Sequence, residues 1–127
     1  MSIVSLSLLV IRVADVDRAV HFYEQLGLHF EKQQHGKGPV HYSTDLGITV
    51  FEIYPYKEGS KATEGVRLGF IVESLSEVIE RLKALDMKIS SSLQRSEFGQ
   101  FAVVEDFDGH KVELTEIARC APADARC

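Results

Sequence analysis

Displaced by 59 positions, the run Leu8-Leu9-Val10-Ile11-Arg12-Val13 falls on Arg67-Leu68-Gly69-Phe70-Ile71-Val72 without a gap, and both read as a mostly buried strand. A helix follows each. Val16, Ala19, Val20, Tyr23 and Leu26 recur at three- and four-residue steps that put them on one helical face, with Asp15 or Asp17 suited to cap its start and Gly27 its end. Leu75, Val78, Ile79, Leu82 and Leu85 repeat that stripe, and Ser74 with Glu77 has the spacing of a capping box. Shorter strands are expected over 28–33, 40–44 and 48–54 after the first helix, and over 88–93, 100–105 and 111–117 after the second. The stretches 34–39 and 55–65, rich in Gly, Lys and Pro, read as loops, and a further loop is expected over 93–100.

Toward the end of each copy the offset grows to 61, so that Asp45 and Glu52 fall on Asp106 and Glu113, seven positions apart in both. A turn followed by a strand bearing one inward carboxylate satisfies both copies. Chance resemblance between two helix-strand units is the poorer account, because strand, helix and terminal Glu agree in order. The predicted fold class is α+β, built from two β-α-β-β-β units over about 3–56 and 64–117. With 127 residues, 45% of them hydrophobic, the chain has enough for one ordinary core, so a single domain over 1–118 is expected.

Charge and cysteine usage narrow the function classes. Fourteen basic residues against nineteen acidic ones give a net charge of −5, and no Lys or Arg cluster could track a phosphate backbone, so no nucleic-acid partner is expected. The apolar start, residues 3–13, lacks a basic leader, is too short to span a bilayer and is interrupted by Ser5, Ser7 and Arg12, so no membrane or targeting segment is expected. Cys120 and Cys127 lie in a tail, 119–127, expected to be disordered, and form no C-x-x-C pair. A cytoplasmic location is the corresponding expectation.

Two stretches carry a family likeness. Arg12-Val13-Ala14-Asp15, followed by Ala19-Val20-His21-Phe22-Tyr23 and Leu26-Gly27-Leu28, forms an opening; Glu105-Asp106-Phe107-Asp108-Gly109-His110-Lys111-Val112-Glu113-Leu114 forms a closing turn of the type D-P-D-G-x-x-x-E, with Phe107 in place of the usual Pro. Together they resemble the vicinal oxygen chelate superfamily of glyoxalases, bleomycin-resistance proteins and extradiol dioxygenases. The resemblance implies two units forming a curved, cleft-bearing mixed sheet with helices outside, and a homodimer. It also implies four inward metal-ligand positions, which in this sequence are Leu8, Glu52, Arg67 and Glu113.

That set departs from the family pattern. Leu8 has no donor atom, and Arg67 brings a permanent positive charge to a site that would hold another. No cofactor is expected, although the two carboxylates could hold a weak, water-rich divalent ion. An inward Arg67 could instead bridge Glu52 and Glu113 as an internal cation. The alternative is that Arg67 opens its strand facing solvent and that both glutamates are ordinary strand residues.

The expected ligand pocket comprises Leu8, Glu52, Arg67 and Glu113 with His41, Tyr54 and Phe101; no catalytic residue is assigned. Tyr42, Tyr56, Phe51, Phe70 and Phe98 are further aromatic candidates for its lining, or for the core. His21, His29, His35 and His110 read mostly as surface residues, and no spacing puts two imidazoles on one face. Nucleophile elbows and phosphate-binding glycine loops are absent from the sequence. Two functions follow: a metal-free small-molecule-binding protein with an acid-favoured, cationic ligand, or a metal-dependent lyase, isomerase or dioxygenase of the glyoxalase type. A third possibility is a vestigial pocket in a domain that merely dimerises.

Overall fold

The computed structural model describes residues 2–97 and 99–117. Phe98, Cys120, Cys127 and the expected tail 119–127 therefore lie outside the described residues. The chain divides between Glu64 and Gly65 into two compact units. In the first, β1 (Leu8–Val13), α1 (Val16–Glu24), β2 (Glu31–Gln33), β3 (His41–Leu46) and β4 (Thr49–Pro55) follow in order. In the second, β5 (Arg67–Ile71), α2 (Leu75–Ala84), β6 (Ile89–Ser96), β7 (Gly99–Glu105) and β8 (Lys111–Ile117) repeat the series. Each unit is a mixed four-stranded sheet, ordered β1-β4-β3-β2 in one and β5-β8-β7-β6 in the other.

The two ladders share one register. Val10 lies opposite Glu52 in the parallel β1–β4 pair, and Gly69 opposite Glu113 in the parallel β5–β8 pair, the offsets of 59 and 61 found in the sequence. The expected α+β architecture is what the chain adopts.

Local chemistry explains the helices. Asp15 accepts a hydrogen bond from the Arg18 backbone N–H at 3.1 Å, and Ser74 from that of Glu77 at 3.5 Å, each satisfying a donor the first turn leaves open. Glu116 of β8 accepts from the Leu75 N–H at 2.8 Å, tying the start of α2 to its sheet. On α1 the buried face is Ala19, Val20, Phe22 and Tyr23, and on α2 it is Leu75, Val78 and Leu82. Tyr23 meets Phe51 of β4 edge-to-face at 5.3 Å, and Phe51 and Ile53 are fully buried. Phe51 thus belongs to the core under α1.

Three boundaries differ from expectation. β2 begins at Glu31, not at 28, because Gly27 leaves the helix at φ +102° and Phe30 turns its ring toward Phe51 at 6.0 Å. β3 and β4 extend to a hairpin closed by Leu46 opposite Thr49. The expected loop 93–100 is largely strand: β6 runs to Ser96 and pairs with Gly99, after register shifts between Ile89 and Gln94. No helix among the described residues is long and apolar enough to cross a membrane.

Candidate functional site

Alternation along β4 sends Phe51 and Ile53 toward α1, leaving Val50, Glu52 and Tyr54 on the opposite face of the sheet. Ser43 pairs with Glu52, so Ser43 and His41, two residues before it, share that face. His41 is 1% exposed. Its ring stacks on Tyr54 with centroids 4.1 Å apart and planes 7° from parallel. The Arg12 guanidinium covers Tyr54 at 5.1 Å and donates to the Pro55 carbonyl at 3.3 Å, while His35 lies 5.1 Å from His41. Arg12, Tyr54, His41 and His35 therefore form a continuous column on the face turned away from α1.

The tautomer of a neutral His41 ring follows from its neighbours. Nδ1 lies 3.1 Å from the Pro39 carbonyl oxygen, which can only accept, so Nδ1 carries the proton. In the neutral ring Nε2 is then an acceptor. Tyr54 Oη is 3.2 Å from Nε2, but the near-parallel stack puts the phenol above the imidazole plane, away from the in-plane lone pair, so we read this contact chiefly as stacking. Glu52 Oε2 stands 3.8 Å from Nε2, beyond hydrogen-bonding distance. One donor, an N–H or a hydroxyl, could satisfy both acceptors.

The second unit carries a different set on its corresponding face. Arg67 Nη2 donates to Glu113 Oε1 at 3.1 Å, with side chains 59% and 41% exposed. Phe101 pairs with Thr115, two ladder positions from the Val103–Glu113 pair, and is half-buried. By the shared register, Phe101 and Thr115 stand where His41 and Tyr54 stand in the first unit. Leu8 opens β1 opposite Val50 and is 50% exposed. Of the seven expected site residues, then, His41, Glu52 and Tyr54 come together in one unit, and Arg67 and Glu113 in the other. Arg12 and His35 were not among them; Arg12 lies an even number of residues from Leu8 on the same strand, the one sequence signal that could have found it.

Other residues turn out differently from the reading above. The Tyr42 phenol donates to Asp17 of α1 at 2.8 Å, a bond that raises its pKa, so Tyr42 faces the helix. His110, expected at the surface, is buried. Its Nδ1 lies 2.6 Å from Asp106 Oδ2, while Asp106 Oδ1 accepts from the backbone N–H groups of Asp108 and His110 at 3.0 and 2.9 Å. Gly109 completes that turn at φ +88°. The closing D-x-D-G-H motif is thus a cross-linked turn. Next to it, Lys88, Lys111 and Ser90 surround Glu105 and lower its carboxyl pKa to about 2.

Among the described residues, cavities lie within each of the units. One of about 510 Å³ sits between the chain after α1 and the outer edge of β3, and one of about 230 Å³ sits at the β6–β7 hairpin. None of the seven expected residues lines either. Among the described residues no three His, Cys, Asp or Glu side chains group to hold a metal ion. At the positions that the resemblance assigns to metal ligands stand a leucine and an ion-paired arginine in place of two donors, and that donor set does not fit the family metal.

No curated protein matches the sequence. Among solved structures the chain is similar to TnmS3, an antibiotic binding protein from Streptomyces sp. CB03234, at 18% identity and TM-score 0.73, over 93% of this chain and 99% of that one. A member of the glyoxalase/bleomycin resistance protein/dioxygenase superfamily from Sphaerobacter thermophilus DSM 20745 matches at 19% identity and TM-score 0.67, over 91% and 99%. A glyoxalase family protein from Enterococcus faecalis matches at 24% identity and TM-score 0.65, over 91% and 100%. At these identities the likeness speaks for the fold. The family profile described as Glyoxalase/Bleomycin resistance protein/Dioxygenase superfamily matches residues 5–114, and with the repeated β-α-β-β-β units this chain belongs to that superfamily.

Proposed function

We propose that this protein binds a small organic molecule without the family metal, on the sheet faces turned away from its helices. The observation that carries this reading is the Arg67–Glu113 ion pair, 3.1 Å, at two of the four inherited ligand positions, with Leu8 at a third. A guanidinium occupies the carboxylate that a metal would need, and its permanent charge opposes a second cation. In the first unit the His41, Tyr54 and Glu52 cluster supplies ring surface, a phenol and two acceptors able to fix a ligand's orientation, and in the second unit Phe101 supplies a further ring. TnmS3, similar in fold, is an antibiotic binding protein, which supports the same class of function here. The expected homodimer belongs to this reading; Ile3, Val4 and Leu6, at 76, 93 and 59% exposure, are apolar surface that a second copy would cover, and sedimentation at several concentrations tests it.

One observation favours a metal-dependent lyase, isomerase or dioxygenase instead: His41 Nε2 and Glu52 Oε2, both ligand-type atoms, lie 3.8 Å apart. Metal analysis of the purified protein, before and after exposure to Ni²⁺, Mn²⁺, Fe²⁺ and Zn²⁺, decides. The expected result is no stoichiometric metal. Stoichiometric metal that disappears in Glu52→Gln or Glu113→Gln would overturn the proposal. In Arg67→His the guanidinium is replaced by a ligand, so metal affinity should rise, while stability changes by less than about 0.5 kcal/mol because Arg67 is an exposed side chain.

A further inference from the structure

The two units carry a cation and a carboxylate on the face turned away from the helix, but space them differently. In the second unit Arg67 reaches Glu113, and the two close into an ion pair at 3.1 Å. Glu52 is the counterpart of Glu113 in the repeat, yet Leu8 stands where Arg67 would be, and the first unit has its cation four positions further along β1, at Arg12. In the β1–β4 ladder Arg12 lies opposite Tyr54 and Val10 opposite Glu52. Arg12 and Glu52 are therefore one strand and two residues apart, and their side chains leave the sheet about 8 Å from each other.

Here the two charges do not meet. The Arg12 guanidinium leans over Tyr54 and donates to the Pro55 carbonyl, beyond Tyr54 and away from Glu52, and among the described residues no carboxylate stands within 4 Å of it. The Glu52 carboxylate, 16% exposed, accepts no hydrogen bond among the described residues; the His41 Nε2 beside it at 3.8 Å is an acceptor in the neutral ring. Each charge has given up part of its hydration without gaining an opposite partner, and each remains open enough for a ligand group to supply one. Val10, half-buried on the same face, forms an apolar floor, which Leu8, 50% exposed, extends.

We propose that the ligand of the first unit is a flat organic zwitterion, with an oxyanion such as a carboxylate at one end of a ring and a protonated amine or amidinium at the other. The oxyanion meets the spare N–H donors of Arg12, whose fork fits a carboxylate, the cationic end donates to Glu52, and the ring rests on Val10. A plain cation or anion would satisfy one protein charge and leave the other unpaired. This inference rests on the metal-free binding reading and gives its ligand a class.

Three probes of one shape test the charge requirement: para-(aminomethyl)benzoate, para-methylbenzylamine and para-toluate, titrated into the ¹⁵N-labelled full chain by NMR. The expected result is saturable shifts with the zwitterion, centred on residues 10–12, 41 and 52–54. The amine should bind at least about ten-fold more weakly, and the toluate most weakly of the three, since the net charge of −5 repels it. Arg12→Gln should bring the zwitterion down to the affinity of the amine, and Glu52→Gln down to that of the toluate, a crossed pattern that a general loss of structure does not produce. No shift up to about 10 mM zwitterion, shifts centred elsewhere, equal binding of the three probes, or a variant that weakens all three alike each overturns the proposal. The comparison of probes on the unaltered chain stands even if a variant does not fold. Titration with and without EDTA keeps the two readings apart. Affinity that EDTA removes is carried by a metal and overturns the metal-free reading along with this one, whereas failure of the probes on protein free of metal overturns the zwitterion alone.

Discussion

At the scale of single residues, the site is governed by which atoms already have partners. His41 has three neighbours: the Pro39 carbonyl at Nδ1, Tyr54 stacked on its ring, and the tilted ring of His35 at 5.1 Å. Most of its stabilisation therefore comes from the buried ring. His41→Ala should cost about 3 kcal/mol, the loss of a buried ring and one hydrogen bond, read from the urea midpoint. Tyr54→Phe keeps the stack and removes only a phenol that lies off the imidazole plane, so it should cost less than about 1 kcal/mol. A loss in Tyr54→Phe as large as in His41→Ala would mean that the phenol makes a true hydrogen bond and that the stacking account is wrong. The sequence grouped His41, Tyr54 and Glu52 with Leu8, Arg67, Glu113 and Phe101, Glu52 through the family resemblance and the repeat; in the first unit those three lie on one face of the sheet. It did not reveal Arg12 and His35, whose place over the rings depends on side-chain reach and on a loop, neither of which has a period.

At the scale of elements, the repeat carried the fold because periodicity and offset are both chain-local quantities. The helical stripes and the caps at Asp15 and Ser74 were readable for the same reason. What was hidden were strand ends decided by pairing: Gln94, Arg95 and Ser96 read as a polar loop, yet the β7 edge supplies them with a ladder. Another element-scale device is the lysine pair at Glu105, the end of β7: Lys88, just before β6, and Lys111, the first residue of β8, at 3.0 and 3.1 Å. They lower its carboxyl pKa from 4.5 to about 2, so the unfolded chain binds the proton more readily than the folded one. The sign follows: the contribution is complete above about pH 4.5 and is lost as pH falls toward about 2. Glu105→Gln should therefore narrow the stability gap between pH 6 and pH 3, each measured by urea unfolding. An unchanged gap would show that the lysines do not hold this carboxylate in solution.

At the scale of the whole molecule, the net charge of −5 acts on every ligand that approaches, whichever site it enters. Long-range attraction and local contact respond differently to salt, because the Debye length shrinks from about 30 Å at 0.01 M to about 3 Å at 1 M ionic strength. A thermal-shift screen of cationic, neutral and anionic drug-sized molecules at low and high salt separates the two. Cations should dominate the hits. A ligand present at about a hundred times its Kd contributes about 2.7 kcal/mol, which for a chain of 127 residues raises Tm by roughly 10 °C. If the contacts are local, as a fitted pocket requires, a hit should lose only part of that shift at 1 M salt, since desolvated pairs and stacked rings are screened far less than distant charges. Cationic shifts abolished by salt would reduce the attraction to the general field of an acidic protein. A screen with no hit of any charge would favour a vestigial pocket over a binding function.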